Sequence, residues 1–291
     1  MKKLLILSGK GGTGKTTAAA ALIDFLKARA FADCDVDAPN LHLVAGLTGT
    51  PRTSEYYGSQ KARIDPEKCT GCGACFDHCR FQAIEKNDNV YRVNEYACEG
   101  CGVCAYVCPA QAVELVDDVS GIQMLYTGKR VFSTAQLKMG RGNSGKLVSE
   151  VKAALNDHAP ETDVAVIDGS PGIGCPVIAS VTGVDLVLIV SEPSLSGISD
   201  LKRIAATART LNVPVAVCVN KFDLYEKNTE AIETWCEEEG IPFVGRIPYD
   251  HYASEAINEG HSLAATGCPA ALALRNVLNE VLELLEVPEC A

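Results

Sequence analysis

One cysteine spacing is written twice in this chain. Cys69-x-x-Cys72-x-x-Cys75-x-x-x-Cys79 returns as Cys98-x-x-Cys101-x-x-Cys104-x-x-x-Cys108, and Pro109 follows the second run. Eight of the 14 cysteines lie in this block. Three thiolates at such intervals wrap three irons of one cubane, and the fourth cysteine of each run serves the neighbouring cluster. The spacing therefore predicts one [4Fe–4S] cluster on Cys69, Cys72, Cys75 and Cys108, and a second on Cys98, Cys101, Cys104 and Cys79. Gly71, Gly73, Gly100 and Gly102 suit loops that fold back closely on a cluster. Paired Cys-x-x-Cys units can also hold structural zinc. The third closely spaced cysteine and the three-residue step of each run favour the cubane. The first run ends in Cys79-Arg80 without a proline, which bears on the local turn more than on ligation.

Clustered thiols of this kind belong in a reducing compartment. The apolar run Leu4–Leu7 ends at Ser8-Gly9-Lys10, short of the roughly 7–15 residues of a secretory core. No stretch approaches the roughly 20 apolar residues of a membrane span. A cytoplasmic location is expected. The formal net charge of −11 lacks the basic face that nucleic acid demands, so no nucleic-acid partner is expected.

On both sides of the cysteine block the chain alternates short Val/Ile runs with amphipathic stretches. Strands are predicted over 3–7, 163–167, 185–190, 213–219 and 241–247, with shorter ones ending near Asp35 and over 130–134. Helices are predicted over 14–30, 143–156, 197–211, 229–239, 254–259 and 270–285. Residues 46–62, rich in Gly, Ser, Thr and Pro, read as a linker, and 121–128 as a hairpin return. Continuous apolar strands between helices imply a mostly parallel sheet with helices on both faces. The fold class is α/β, interrupted by a small ferredoxin-like α+β insert. The expected domains are 1–60 with 118–291, and 61–117.

The first strand runs into Gly9-Lys10-Gly11-Gly12-Thr13-Gly14-Lys15-Thr16-Thr17, a phosphate-binding loop between strand and helix. Its glycines let backbone N–H groups close around phosphates at a helix N-terminus. Lys15 reaches the terminal phosphates, and the Thr16 hydroxyl is placed for Mg²⁺. ATP or ADP is the expected ligand.

With a second lysine just after the first glycine, this loop resembles the deviant P-loop of the MinD/ParA/nitrogenase-iron-protein superfamily. The resemblance implies an ATP-hydrolysing homodimer in which Lys10 crosses to the partner's nucleotide. Asp33-Cys34-Asp35-Val36-Asp37-Ala38-Pro39-Asn40 resembles the first switch, with Asp35 orienting the attacking water and Asp33 near magnesium. Asp168, after a buried strand, resembles the Walker B acid, and Gly169-Ser170-Pro171-Gly172 the second switch. Asn220-Lys221-x-Asp223 resembles the base-recognition segment. The whole arrangement resembles MinD-type ATPases with inserted two-cluster ferredoxin domains.

Cys175 follows the second switch. In the nitrogenase iron protein a cysteine there helps hold a cluster shared across the dimer, but the second ligand cysteine has no counterpart over 139–146. Two readings stand: a ligand for an interface metal or redox group, or a buried structural thiol. Cys218 reads as core, and Cys34, Cys236, Cys268 and Cys290 lack ligand spacing. His78 reads as a local hydrogen-bonding residue and Trp235 as helix packing. The last helix carries Glu280, Glu283, Glu286 and Glu289, which anionic lipid would repel, so it is expected to dock on the core rather than on a membrane.

Three functions compete. In the first, a dimeric ATPase couples nucleotide state to low-potential electron transfer, serving a reductase or the assembly of a metal cofactor. In the second, ATP times the delivery of an iron–sulfur or metal cargo. In the third, the clusters are structural parts of a nucleotide-regulated scaffold. The first is favoured, with an unidentified redox or assembly protein as partner.

Overall fold

The computed structural model describes residues 1–47, 49–88 and 90–287. In chain order its elements are β1 (Lys2–Leu7), α1 (Lys15–Phe25), β2 (Ala30–Asp33), β3 (Arg52–Tyr57), β4 (Lys61–Ile64), α2 (Ala74–Asp77), β5 (Ile84–Asn87), β6 (Val90–Val93), α3 (Val103–Tyr106), β7 (Val113–Val116), β8 (Val119–Tyr126) and β9 (Val131–Leu137). There follow α4 (Ser144–His158), β10 (Val164–Asp168), α5 (Cys175–Val181), β11 (Leu186–Ser191), α6 (Leu195–Thr210), β12 (Val215–Asn220), α7 (Glu226–Glu238), β13 (Phe243–Ile247), α8 (His251–Asn258) and α9 (Pro269–Leu284). The chain divides into two compact units. The first is Met1–Thr53, Gln123–Gln136 and Ser144–Ala291; the second is Ser54–Ile122 with Leu137–Asn143.

The large sheet has the order β13-β12-β11-β1-β10-β2-β9-β8-β3. Every pairing from β13 to β9 is parallel, as strands buried on both faces require. β1, β10 and β11 read KKLLIL, VAVID and LVLIVS, and β10 and β11 are buried throughout. Strand β1 lies between β10 and β11, so the loop after it opens where the strand order reverses, the usual place for a ligand crevice in such sheets. Helix α1 is buried continuously from Ala18 to Ile23, a helix apolar on all sides and so enclosed by the core.

Helix α9 buries Ala270, Ala271, Leu274, Val277, Leu278, Val281 and Leu282, a stripe at three- and four-residue steps that joins the core of β1, β11 and α1. This matches the expected docked helix. Among the described residues no helix is long and apolar enough to cross a membrane. Glu289 and Cys290 lie outside the described residues.

In the second unit, β4 pairs antiparallel with β7 and β5 with β6. Its buried apolar groups form two small clusters: Ala62, Ala83, Cys98 and Val113, and Cys75, Ile84 and Tyr91.

Several boundaries differ from the sequence reading. Helix α1 stops at Phe25, not residue 30, because Lys27 turns left-handed (φ 48) and the Ala28 N–H donates to the Ile23 carbonyl. That is a Schellman-type stop with lysine in glycine's usual place, and composition does not reveal it. The expected linker over 46–62 contains β3 and the start of β4. The expected return over 121–128 is mostly strand β8, and the helix expected from 143 runs to His158. Helix α5 was missed; its signal is Pro176 near the start, a favoured first-turn residue.

Candidate functional site

Helix α1 begins at Lys15 behind Gly14, whose φ of 92 is left-handed and whose side gives no capping bond. A Cβ on Gly14 would lie 2.3 Å from Asn220 Nδ2, so only glycine fits. Uncapped N–H groups at such a helix start are a ready anion site. Two adjoining cavities open here. One is lined by Ser8, residues 10–17, Asp35, Asn40 and Pro171; the other by Asn220, Lys221, Pro248, Tyr249, Asp250 and the apolar Val190, Leu263 and Leu274. They share Gly12, Gly14, Thr17, Ile257 and Asn258. The first suits phosphates and the second a nucleoside. The Thr13 hydroxyl, on the phosphate side, is buried without a hydrogen-bond partner, an unmet polar group of the kind a ligand satisfies.

The charged centre is compact. Lys15 Nζ donates to Asp168 Oδ1 at 2.6 Å and lies 4.0 Å from Asp35 Oδ2. The Thr16 hydroxyl donates to Asp168 Oδ2 at 2.7 Å. Burial alone would lower the Lys15 pKa, but Asp168, with Asp33 and Asp35 behind it, carries it above the ordinary value. Burial and the charge of Asp168 push the Asp33 carboxyl up. Burial also raises Asp35, against the pull of Lys15. Thr16 and Asp168 form the donor set a P-loop offers Mg²⁺, directly through the hydroxyl and through water from the acid.

Asp33 is spent on the backbone. Its carboxylate accepts the N–H groups of Asp35 (2.9 Å), Asn40 (2.9 Å) and Leu41 (3.0 Å), shaping the loop that carries Asp35. The two expected base-reading side chains are likewise engaged. Asn220 Nδ2 donates to the Thr13 carbonyl at 2.7 Å, and Asp223 Oδ1 accepts the Tyr249 N–H at 2.8 Å. Asn220 and Lys221 line the nucleoside cavity, whereas Asp223 supports its Tyr249 wall from behind. Lys10 is folded onto its own chain, paired with Glu192 and donating to Ser194 and Ser196 Oγ, each at 3.3 Å. Sequence reasoning missed Glu192, Tyr249 and Asp250, none of which sits in a motif.

The eight clustered cysteines line two small chambers. One is lined by Cys98, Cys101, Cys104 and Cys79, the other by Cys69, Cys72, Cys75 and Cys108. Each chamber thus draws three cysteines from one run and the fourth from the other. Backbone N–H groups point at three of the sulfurs: Ala62 to Cys98 (3.5 Å), Ala83 to Cys79 (3.3 Å) and Ala112 to Cys108 (3.3 Å). Gly100 has a left-handed φ of 67, and a Cβ there would lie 2.0 Å from the Gln60 carbonyl oxygen, so the position needs glycine. Among the described residues, no three His, Cys, Asp or Glu side chains converge on the point a single ion needs.

Cys175 is exposed at the first residue of α5, so the buried-thiol reading of it is wrong. Cys34, Cys218, Cys236 and Cys268 are buried. Burial pushes the Cys218 thiol up to about 12 and, with Glu233, that of Cys236 up to about 11. His78 Nδ1 bonds the Ala74 carbonyl at 2.8 Å, and half-buried Trp235 packs under Lys202.

The family model for the CobQ/CobB/MinD/ParA nucleotide binding domain matches residues 4–263. The chain belongs to that family. Among its relatives, an uncharacterized protein of Methanocaldococcus jannaschii is 35% identical over 224 residues, covering 75% of this chain and 78% of that one. The iron-sulfur cluster carrier protein of the same organism is 24% identical over 304 residues, covering 98% and 85%. Among solved structures, the septum site-determining protein MinD of Pyrococcus horikoshii, complexed with Mg-ADP, matches with a TM-score of 0.58 at 18% identity, covering 98% of this chain and 97% of that one. At that identity the likeness shows the fold: a MinD/ParA-type P-loop architecture on a mostly parallel sheet.

Proposed function

We propose that this protein is a dimeric ATPase whose nucleotide state governs low-potential electron transfer through two [4Fe–4S] clusters held by the second unit. Lys15, the loop N–H groups and the Thr13 hydroxyl bind the phosphates of ATP, and Thr16 with Asp168 holds Mg²⁺. Asp35 orients the water that attacks the terminal phosphorus, the bond to the ADP oxygen breaks, and ADP and phosphate leave. Lys10 exchanges Glu192 for the partner protomer's nucleotide. Bound cubanes supply one-electron transfer.

The observation that carries this reading is the exchange of Cys79 and Cys108 between the two chambers. Each chamber is closed by both runs, and buried Cys75 and Cys98 belong to the unit's two small apolar clusters. So few apolar side chains give little stability alone, and small units of this kind lean on their metal. Clusters so placed are resident groups rather than cargo. The thiols line chambers instead of meeting at a point about 2.3 Å from each sulfur, as zinc would ask.

A second reading, ATP-timed delivery of iron–sulfur cargo, is favoured by the relative named as a cluster carrier and by the exposed Cys175. An anaerobic redox titration followed by EPR, with and without ATP and Mg²⁺, separates the two. Electron transfer predicts two cubane signals that reduce reversibly, stay bound and respond to nucleotide. Loss of iron and sulfide to an apo-acceptor during turnover would overturn it in favour of delivery, and zinc without sulfide would remove the clusters altogether.

A further inference from the structure

Within the second unit the two cysteine runs overlay residue by residue, and the overlay isolates one difference in charge. Strand β4 (Lys61–Ile64) stands ahead of Cys69 as strand β6 (Val90–Val93) stands ahead of Cys98, each starting eight residues before its cysteine. Each strand lines the chamber of the other run: Ala62 the Cys98 chamber, and Tyr91, at the equivalent position, the Cys69 chamber. The far ends of the runs match as well. The Ala83 N–H points at the Cys79 sulfur and the Ala112 N–H at the Cys108 sulfur, both over 3.3 Å and both four residues after the cysteine. One such bond serves each chamber, so they cancel in a comparison of the two.

Lys61 and Val90 do not cancel. Lys61 Nζ donates to the Cys98 carbonyl. Val90, in the same place ahead of the other run, has no donor on its side chain and is 48% exposed. Lys61 is held where it is by its neighbours in sequence. The Gln60 carbonyl packs on Gly100, where a Cβ would be only 2.0 Å away, and the Ala62 N–H points at the Cys98 sulfur from 3.5 Å. A bond to a neutral carbonyl leaves the ammonium charge intact. The Lys61 side chain is half-buried, and no carboxylate pairs with it among the described residues.

The other charges nearby are offset or screened. Arg141 is paired with Glu95 and Asp118, and Lys68 with Asp65. Glu99 lines the Cys98 chamber but is exposed, where water and salt weaken its field. No charged side chain lines the Cys69 chamber among the described residues. Reduction makes a cubane more negative, so a neighbouring cation or an N–H aimed at its sulfurs stabilises the reduced form and raises its potential.

Resting on the function proposed above, we infer that Lys61 makes the Cys98–Cys101–Cys104–Cys79 chamber the electron-accepting end of the pair. The electron comes from a low-potential one-electron carrier. It passes from the cluster on Cys69, Cys72, Cys75 and Cys108, which is reoxidised, to the other, which is reduced, and no proton moves and no bond is made. A singly reduced chain holds its electron beside Lys61, and an acceptor finds it there.

The test is an anaerobic potentiometric titration of the full holoprotein followed by EPR, with iron and sulfide counted in every sample. The wild type should show two potentials. Cys79→Ser, which breaks the Cys98 chamber, should leave only the lower one. Lys61→Met should reduce the preference of the electron for the Cys98 chamber by about tenfold, a fall of about 59 mV for one electron, with the lower potential unmoved. Lys61→Arg should restore the preference, and Val90→Lys should raise the lower potential alone. Two potentials that stay put in Lys61→Met, or that fall together, would overturn the inference. Should Lys61→Met lose iron, Val90→Lys decides, and an unchanged lower potential there overturns it. Zinc without sulfide overturns this inference and the proposed function together, whereas wild-type potentials indifferent to ATP and Mg²⁺ overturn the nucleotide coupling alone.

Discussion

Lys152 Nζ, near the middle of α4, donates to the Ser180 carbonyl at the end of α5 over 2.6 Å, and takes the carbonyls of Ala179 (2.9 Å) and Thr182 (2.6 Å) as well. Helix ends leave such carbonyls unpaired, and a buried ammonium satisfies three at once. The short helix that follows the second switch is thereby fastened to α4.

Replacing Lys152 with Met should strand those carbonyls and cost about 3 kcal/mol, the scale for removing one partner of a buried charged contact. Urea unfolding of the first unit reads it directly. Burial lowers the Lys152 pKa to about 8, below its unfolded value, so between pH 8 and 10 the unfolded chain binds more protons than the folded one. Stability from this group therefore rises with pH across that window. The wild type should gain on Lys152→Met as pH goes from 8 to 10; a constant difference would contradict the assignment.

Asp168→Asn removes the buried counter-charge of Lys15 and leaves a single acceptor oxygen where Lys15 Nζ and the Thr16 hydroxyl now use two. ATP hydrolysis should fall on the order of 100-fold or more, comparable to losing a preorganised charge at a reacting centre. Steady-state phosphate release measures it, and a matching titration of Mg²⁺ should show weaker dependence on the ion.

Cys79→Ser tests the exchange of cysteines between chambers. Iron should drop from about eight to about four per chain, and the lost signal should be that of the chamber built on Cys98, Cys101 and Cys104. A loss confined to the Cys69 chamber would refute the crossed assignment.

Gly14→Ala forces a Cβ to within 2.3 Å of Asn220 Nδ2 at a φ of 92. The cost should be about 1–3 kcal/mol of strain, and ATP affinity measured by calorimetry should weaken because Asn220 can no longer brace the Thr13 carbonyl.

Much of this was legible because strong local chemistry left little choice. The apolar runs of β1, β10 and β11 can only be interior strands, and the glycines of residues 9–14 can only serve a tight turn before a helix. The division of the eight cysteines between two chambers followed from spacing alone. What escaped was set by contacts distant in sequence. Asp223 matches a base-reading motif yet is drawn to the Tyr249 N–H, 26 residues away. Glu192 belongs to no motif and yet pairs with Lys10. The stop of α1 at a left-handed lysine depends on geometry that a linear pattern does not carry.

The register of the central sheet sets Asp33 directly opposite Asp168 at the ends of adjacent strands, both wholly buried. With Asp35 beside them and Lys15 as their shared cation, this site gathers more negative charge than the fold would choose for itself. A protein selected only for thermal endurance would discard one of these acids first, most simply as the amide, and would become hardier and inert together. Conversely, whatever cation or nucleotide enters is repaid in rigidity, so the melting temperature of the first unit is itself a gauge of occupancy.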